Sequence, residues 1–182
     1  MRRVFLAIAV ALVFGAGGCG EDKVLSPFPP ARIYPQPLNP ASVMDALRIA
    51  YGRRDTTEIK LLYDDAYQGT SIDQTDPVPA SLNFTKADEV SHVSALAHDA
   101  SLLHVSLILS NNMIRFSDLA DPPGWATIQN PVLSVEVSSA SASHQVDATQ
   151  ESMEFKFVPH TPDATSQTDT TWKIVRWTEV KN

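Results

Sequence analysis

The chain has 182 residues, 43% of them hydrophobic and 19% charged, with 21 acidic against 14 basic side chains and a formal charge of −7. That is enough for one domain with a real core and too little for two. The acidic balance, with no cluster of Lys and Arg to displace counterions, excludes nucleic-acid binding, and a lone cysteine, Cys19, excludes an internal disulfide.

Arg2 and Arg3 precede an apolar run from Val4 to Phe14, followed by small residues. This is the layout of a signal peptide, and the run is too short to cross a bilayer, which takes roughly 20 apolar residues. The sequence "AGGC" at residues 16–19 then resembles the lipobox of bacterial lipoproteins. The resemblance implies cleavage after Gly18 and attachment of lipid to the Cys19 thiol, although Ala16 stands where Leu or Val is usual. The other reading is an ordinary signal cut that leaves Cys19 as a free thiol. Lipidation explains why the only cysteine lies here, and two or three acyl chains hold a protein on a membrane essentially permanently. Gly20 after the cysteine resembles lipoproteins sent to the outer membrane. Removal of residues 1–18 leaves 12 basic and 21 acidic side chains, a formal −9.

From Cys19 to residue 38 the chain reads as a tether. Six prolines between Pro27 and Pro40 fix φ and remove backbone donors, which forbids a helix or a central strand. An extended spacer is expected, with Ile33, Tyr34 and Leu38 able to dock its end on the domain that occupies residues 39–182.

In "NPASVMDALRIAYGRRDTTEIKLLYDDAYQG", Asn39 caps a helix with Pro40 at its first position and with Val43, Leu47, Ala50 and Tyr51 at spacings of three and four. Gly52 and two arginines interrupt it. Asp55 and Glu58 open a second helix, with Ile59, Leu62 and Tyr63 on one face, ending before Gly69. A polar loop containing Pro77 and Pro79 follows. Thr85 and Asp88 then start a third helix, with Val90, Val93 and Ala97 as its stripe. The rest alternates with period two: Leu103, Val105, Leu107 and Leu109; Leu133, Val135 and Val137; then Met153, Phe155 and Phe157 opposite Glu154 and Lys156. "TWKIVRWTEVK" reads as a last strand. The expected fold class is α+β, three N-terminal helices on a curved antiparallel sheet of at least four strands.

That order resembles the nuclear transport factor 2-like superfamily, and "SVMDALRIAYGRRDTTEIKLLYDDAYQG" and "TWKIVRWTEVK" resemble the first and last blocks of uncharacterised bacterial lipoproteins of that kind. The resemblance implies a cone whose mouth holds a ligand, in a superfamily that includes isomerases, dehydratases, cyclases and non-catalytic binding modules. It also implies homodimerisation through the sheet. A lipid-anchored envelope protein is expected, binding a small apolar ligand in the cone or a protein partner at the sheet. The alternative is an isomerase or cyclase with a pocket Asp or His as base and a Tyr or protonated acid as donor.

The candidate pocket or interface residues are Tyr51, Tyr63, Asp65, His92, Trp125, Trp172 and Trp177. Asp64, Asp65 and Tyr67 read equally as a solvated helix end and as the start of a strand, and Trp172 and Trp177, five apart, are expected on opposite faces. His92 and His98, six apart, fall on different helix faces with no Cys or Glu to complete a ligand set, and no glycine-rich phosphate loop or G-x-S-x-G elbow is present. No cofactor, metal or catalytic residue is assigned.

Overall fold

The computed structural model describes residues 33–75, 78, 80–160 and 170–181. Cys19 and the greater part of the tether lie outside them. The end of the proline-rich segment belongs to the folded unit: Tyr34 and Pro37 are buried, while Ile33 and Leu38 stay exposed. Tyr34 Oη donates to Asp55 Oδ2 at 2.5 Å, and Trp172 N donates to the Pro37 carbonyl at 2.7 Å.

Helix α1 (Pro40–Arg53) starts as its sequence dictates, with Asn39 and Ser42 exchanging side-chain and backbone hydrogen bonds and Pro40 in the first turn. It ends at Arg54, whose left-handed backbone (φ 56°) makes the elbow. Asp55 then caps α2 (Thr56–Leu62), accepting from Thr57 N and Glu58 N. The second helix is shorter than its sequence implied. Asp64 Oδ1 takes the Ala66 N–H at 2.9 Å, offering the backbone a local alternative to the helix. The chain is extended from Tyr63, so Asp64 and Asp65 lie on strand β1 (Tyr63–Asp73).

The segment expected as loop contains β2 (Ala80–Thr85), which pairs with β1 and leads into α3 (Lys86–His98) through the Thr85–Asp88 capping box. Of the α3 stripe only Val93 is fully buried; Ala97 is exposed. The later strands are β3 (Leu102–Leu109), β4 (Arg115–Phe116), β5 (Ala126–Gln129), β6 (Val132–Ser139), β7 (Ser143–Asp147), β8 (Glu151–His160) and β9 (Thr171–Lys181). They form a six-stranded sheet, β2-β1-β9-β8-β5-β4, and a three-stranded one, β3-β6-β7. The larger sheet is mixed, because β1 runs parallel to β9.

Asn130 (φ 48°) and the fully buried Pro131 turn the chain a corner between β5 and β6, so one segment serves both sheets. Asn130 bonds Met153 through backbone and side chain, at 2.6 and 2.8 Å, while the Pro131 carbonyl accepts from Ser110 N at 2.8 Å. The register slips beside this corner, which sets Val132 and Val135 against the core and leaves Leu133 exposed, contrary to a strict alternation. Leu103 is likewise exposed, beside a second slip.

A bulge decides the placement of the last tryptophans. Phe157 pairs with Ile174 and Lys156 with Arg176, leaving Val175 unpaired in β9. The extra residue restores parity: Trp177, opposite Phe155, shares a face with Trp172 and Ile174, where simple alternation puts the two tryptophans on opposite faces. The core thus lies between the helices and the inner face carrying Phe155, Phe157, Ile128 and Ile174.

Candidate functional site

Between the three helices and that inner face lies a cavity of about 770 Å³. Its walls are apolar and aromatic: Leu47 and Tyr51 from α1, Ile59 from α2, Tyr63 from β1, Phe84 from β2, Val93 from α3, Leu107 from β3, and Met153, Phe155 and Trp177 from the far sheet. Phe84, Trp177 and Phe155 form a continuous aromatic wall, with ring centroids 5.9 and 6.1 Å apart. Gly69 makes room for it, since a Cβ there would lie 2.5 Å from Tyr67 Oη and 3.2 Å from the Trp177 ring.

The polar groups at its wall belong to Tyr51, Tyr63, Asn83, Asp88, Glu89, Ser91 and His92, four of them on α3. Tyr51 Oη and His92 Nε2 are 2.9 Å apart, with the rings stacked at 6.0 Å. Burial lowers the His92 pKa and, helped by the charge of Glu89, pushes the Tyr51 phenol up to about 12. The two groups share one hydrogen bond, whose donor is set by the tautomer of the imidazole. Tyr67 Oη donates to Glu89 Oε1 at 2.6 Å, and burial raises the Glu89 carboxyl against that hydrogen bond. Tyr63 packs edge-on against Tyr67 at 4.5 Å. Burial, followed by the charge of Glu89, holds its phenol well above the usual range.

Of the residues expected at the site, the fold brings Tyr51, Tyr63, His92 and Trp177 to the cavity. Three others lie elsewhere. Asp65 projects into solvent and pairs with Lys86 at 2.7 Å. Trp125 sits against Arg176 on the opposite side of the sheet, 5.6 Å from the guanidinium carbon. Trp172 is buried beneath Arg115, 4.6 Å from its ring. Sequence reasoning passed over Glu89; its signal was its place one turn before His92, on the same helix side. Among the described residues no three His, Cys, Asp or Glu side chains stand close enough to hold a metal ion.

Past the aromatic wall the same face carries Glu179, beside Met153. Burial, then the hydrogen bond and charge shared with Glu151, push its carboxyl up to about 7. The folded chain keeps a proton there that the unfolded chain releases from about pH 4.5, so this group's stabilisation falls as pH rises towards 7. Glu179 is partly solvated, and screening brings the expected loss to about 1 kcal/mol. His92 acts in the opposite sense, since its folded pKa is lowered. The difference between native protein and Glu179→Gln isolates the carboxyl. Urea midpoints at pH 5 and 7.5 should show Glu179→Gln gaining on the native protein as pH rises, and a constant gap would refute the assignment.

No protein-family model and no curated protein sequence matches the chain. Solved structures do. A conserved protein from Planctomyces limnophilus aligns over 77% of this chain and 91% of its own, with a TM-score of 0.52 and 10% identity. ActVI-ORFA from Streptomyces coelicolor aligns over 76% and 91%, with a TM-score of 0.50 and 12% identity. A nuclear transport factor 2-like protein of unknown function in nutrient uptake, from Rhodospirillum rubrum, covers 79% and 98% at 0.49 and 16%. At such identities the likeness is one of fold. That fold is nuclear transport factor 2-like, α+β, with three helices packed on a mixed sheet of six strands.

Proposed function

We propose that this chain is a lipid-anchored envelope protein whose domain binds a small, mainly apolar molecule in its cone. The observation that carries the binding reading is the cavity: about 770 Å³, walled mainly by aromatic and aliphatic side chains, with polar groups supplied chiefly by α3. Ligand sites have this composition, whereas a cone packed shut by its own side chains has no room for an occupant.

Native mass spectrometry of the protein purified from its own host tests the reading. A stoichiometric non-covalent small molecule is the expected result. That molecule, added back at a hundred times its Kd, should stabilise the fold by about 2.7 kcal/mol. Protein that carries nothing, and that no panel of apolar compounds stabilises, would end the proposal.

Glu89 favours a second reading. A carboxyl partly desolvated at the wall of an apolar cavity is the setting of a general base for an isomerase or cyclase. His92 fits that role less well, because its Nε2 is engaged by Tyr51. Under this reading the retained molecule is the compound to assay for turnover.

A further inference from the structure

Among the buried side chains that line the cavity, Tyr63 carries a hydroxyl that the fold does not use. Tyr63 is only 6% exposed and lines the cavity, yet its Oη has no hydrogen-bond partner among the described residues. The neighbouring polar groups are spoken for: Tyr51 with His92 and Tyr67 with Glu89. Among the described residues Trp177 Nε1 is the sole side-chain polar atom both sealed from solvent and without a partner. The Tyr63 hydroxyl is therefore neither bonded nor sealed, and its side chain lines the cavity. Buried hydroxyls without partners are costly, so a group that is nine-tenths buried at the wall of a cavity awaits an acceptor from outside the chain.

The charges round it restrict what that acceptor can be. No Lys or Arg lines the cavity, while Asp88 and Glu89 do. A carboxylate or phosphate entering there would give up its water, find no cation and meet Glu89. Tyr63 itself stays protonated at neutral pH, so it offers a donor and no charge. Its ring is set by the edge contact with Tyr67, which fixes the direction of the hydroxyl before any ligand arrives. The Phe84, Trp177 and Phe155 rings supply a surface suited to a flat molecule.

We propose that Tyr63 is the hydrogen-bond donor for a neutral, flat, largely apolar ligand bearing a carbonyl or comparable acceptor oxygen, and that the cone rejects carboxylates of the same shape. This rests on the binding reading above and adds the ligand's chemistry. Three probes of one shape separate the two claims: acetylnaphthalene, ethylnaphthalene and naphthoate, titrated calorimetrically at neutral pH into the full-length protein and into Tyr63→Phe.

The ketone should bind the native protein about tenfold more tightly than the hydrocarbon, the worth of one hydrogen bond. Naphthoate should bind more weakly than either. In Tyr63→Phe the ketone's advantage should vanish while ethylnaphthalene binds as before, which also reports that the variant has kept its cavity. Equal affinities for ketone and hydrocarbon in the native protein, or a preference that survives in Tyr63→Phe, overturn this inference and leave the binding reading standing. Naphthoate binding as tightly as the ketone overturns the charge argument. Failure of all three probes to bind overturns this inference and leaves the binding reading to the test for a retained molecule.

Discussion

Phe157→Ala is expected to cost about 3–5 kcal/mol of folding stability, a large share of the roughly 5–15 kcal/mol that holds a domain together. The ring is wholly buried. It stands on β8 between Ala126 of β5 and Ile174 of β9, beside the bulge at Val175. Truncation removes the transfer free energy of a benzyl group and leaves a void that two paired strands prevent from closing. At roughly 2–4 °C per kcal/mol, the melting temperature should fall by about 10 °C. Phe116→Ala is the matched control, since that ring is 36% exposed at the edge of the same sheet; it should shift the midpoint little. If both variants lost the same small amount in urea titrations, the packing described for the inner face would be wrong.

Cys19→Ser should move the protein from the membrane fraction to the soluble fraction almost completely when expressed in its host. The argument is from covalent chemistry and solvation. Each buried CH₂ contributes about 0.8 kcal/mol, so one chain holds a protein only marginally, whereas two or three hold it without measurable release. Serine offers no thiol for the lipid and, under the lipoprotein reading, no cleavage after Gly18, so the uncleaved leader should also be visible as a heavier species. The acidic domain adds nothing to membrane affinity, because a formal −9 is repelled by anionic headgroups. Unchanged fractionation of Cys19→Ser would refute the anchor.

The helices were legible because their start signals are local. Asn39 with Pro40, Asp55 and Thr85 with Asp88 each cap the helix that their spacing implied. The inward positions Met153, Phe155 and Phe157 were equally plain, since β8 keeps strict alternation. What the sequence concealed depends on partners distant along the chain. Tyr63–Asp73 carries few apolar residues and becomes a strand because β9 and β2 pair with it on either side. A bulge is invisible in "WKIVRW", because one unpaired residue is defined only by its neighbour strand, and missing it reversed the face of Trp177. At the site, Tyr51, Tyr63 and His92 could be singled out as residue types in roughly the right place. The partners of those residues could not, because the pairings span 41 residues for Tyr51 with His92 and 22 for Tyr67 with Glu89. Glu89 was overlooked because charged residues in a first helical turn are ordinarily explained by the helix dipole alone.

The corner at Asn130 and Pro131 bears on how the domain comes apart. Because β5 and β6 are one run of chain, anchored to Met153 on one side and to Ser110 on the other, neither sheet can open without pulling on hydrogen bonds of its neighbour. The two sheets therefore form a single cooperative unit, and amide protons in β6 and β8 should exchange with solvent at the rate of global unfolding. Helix α3 is different: it is tied by Val93 and a handful of polar contacts. Its amide protons should therefore exchange with solvent sooner than those of β6 and β8, which would make the wall of the cone that α3 supplies the first part of the cavity to open.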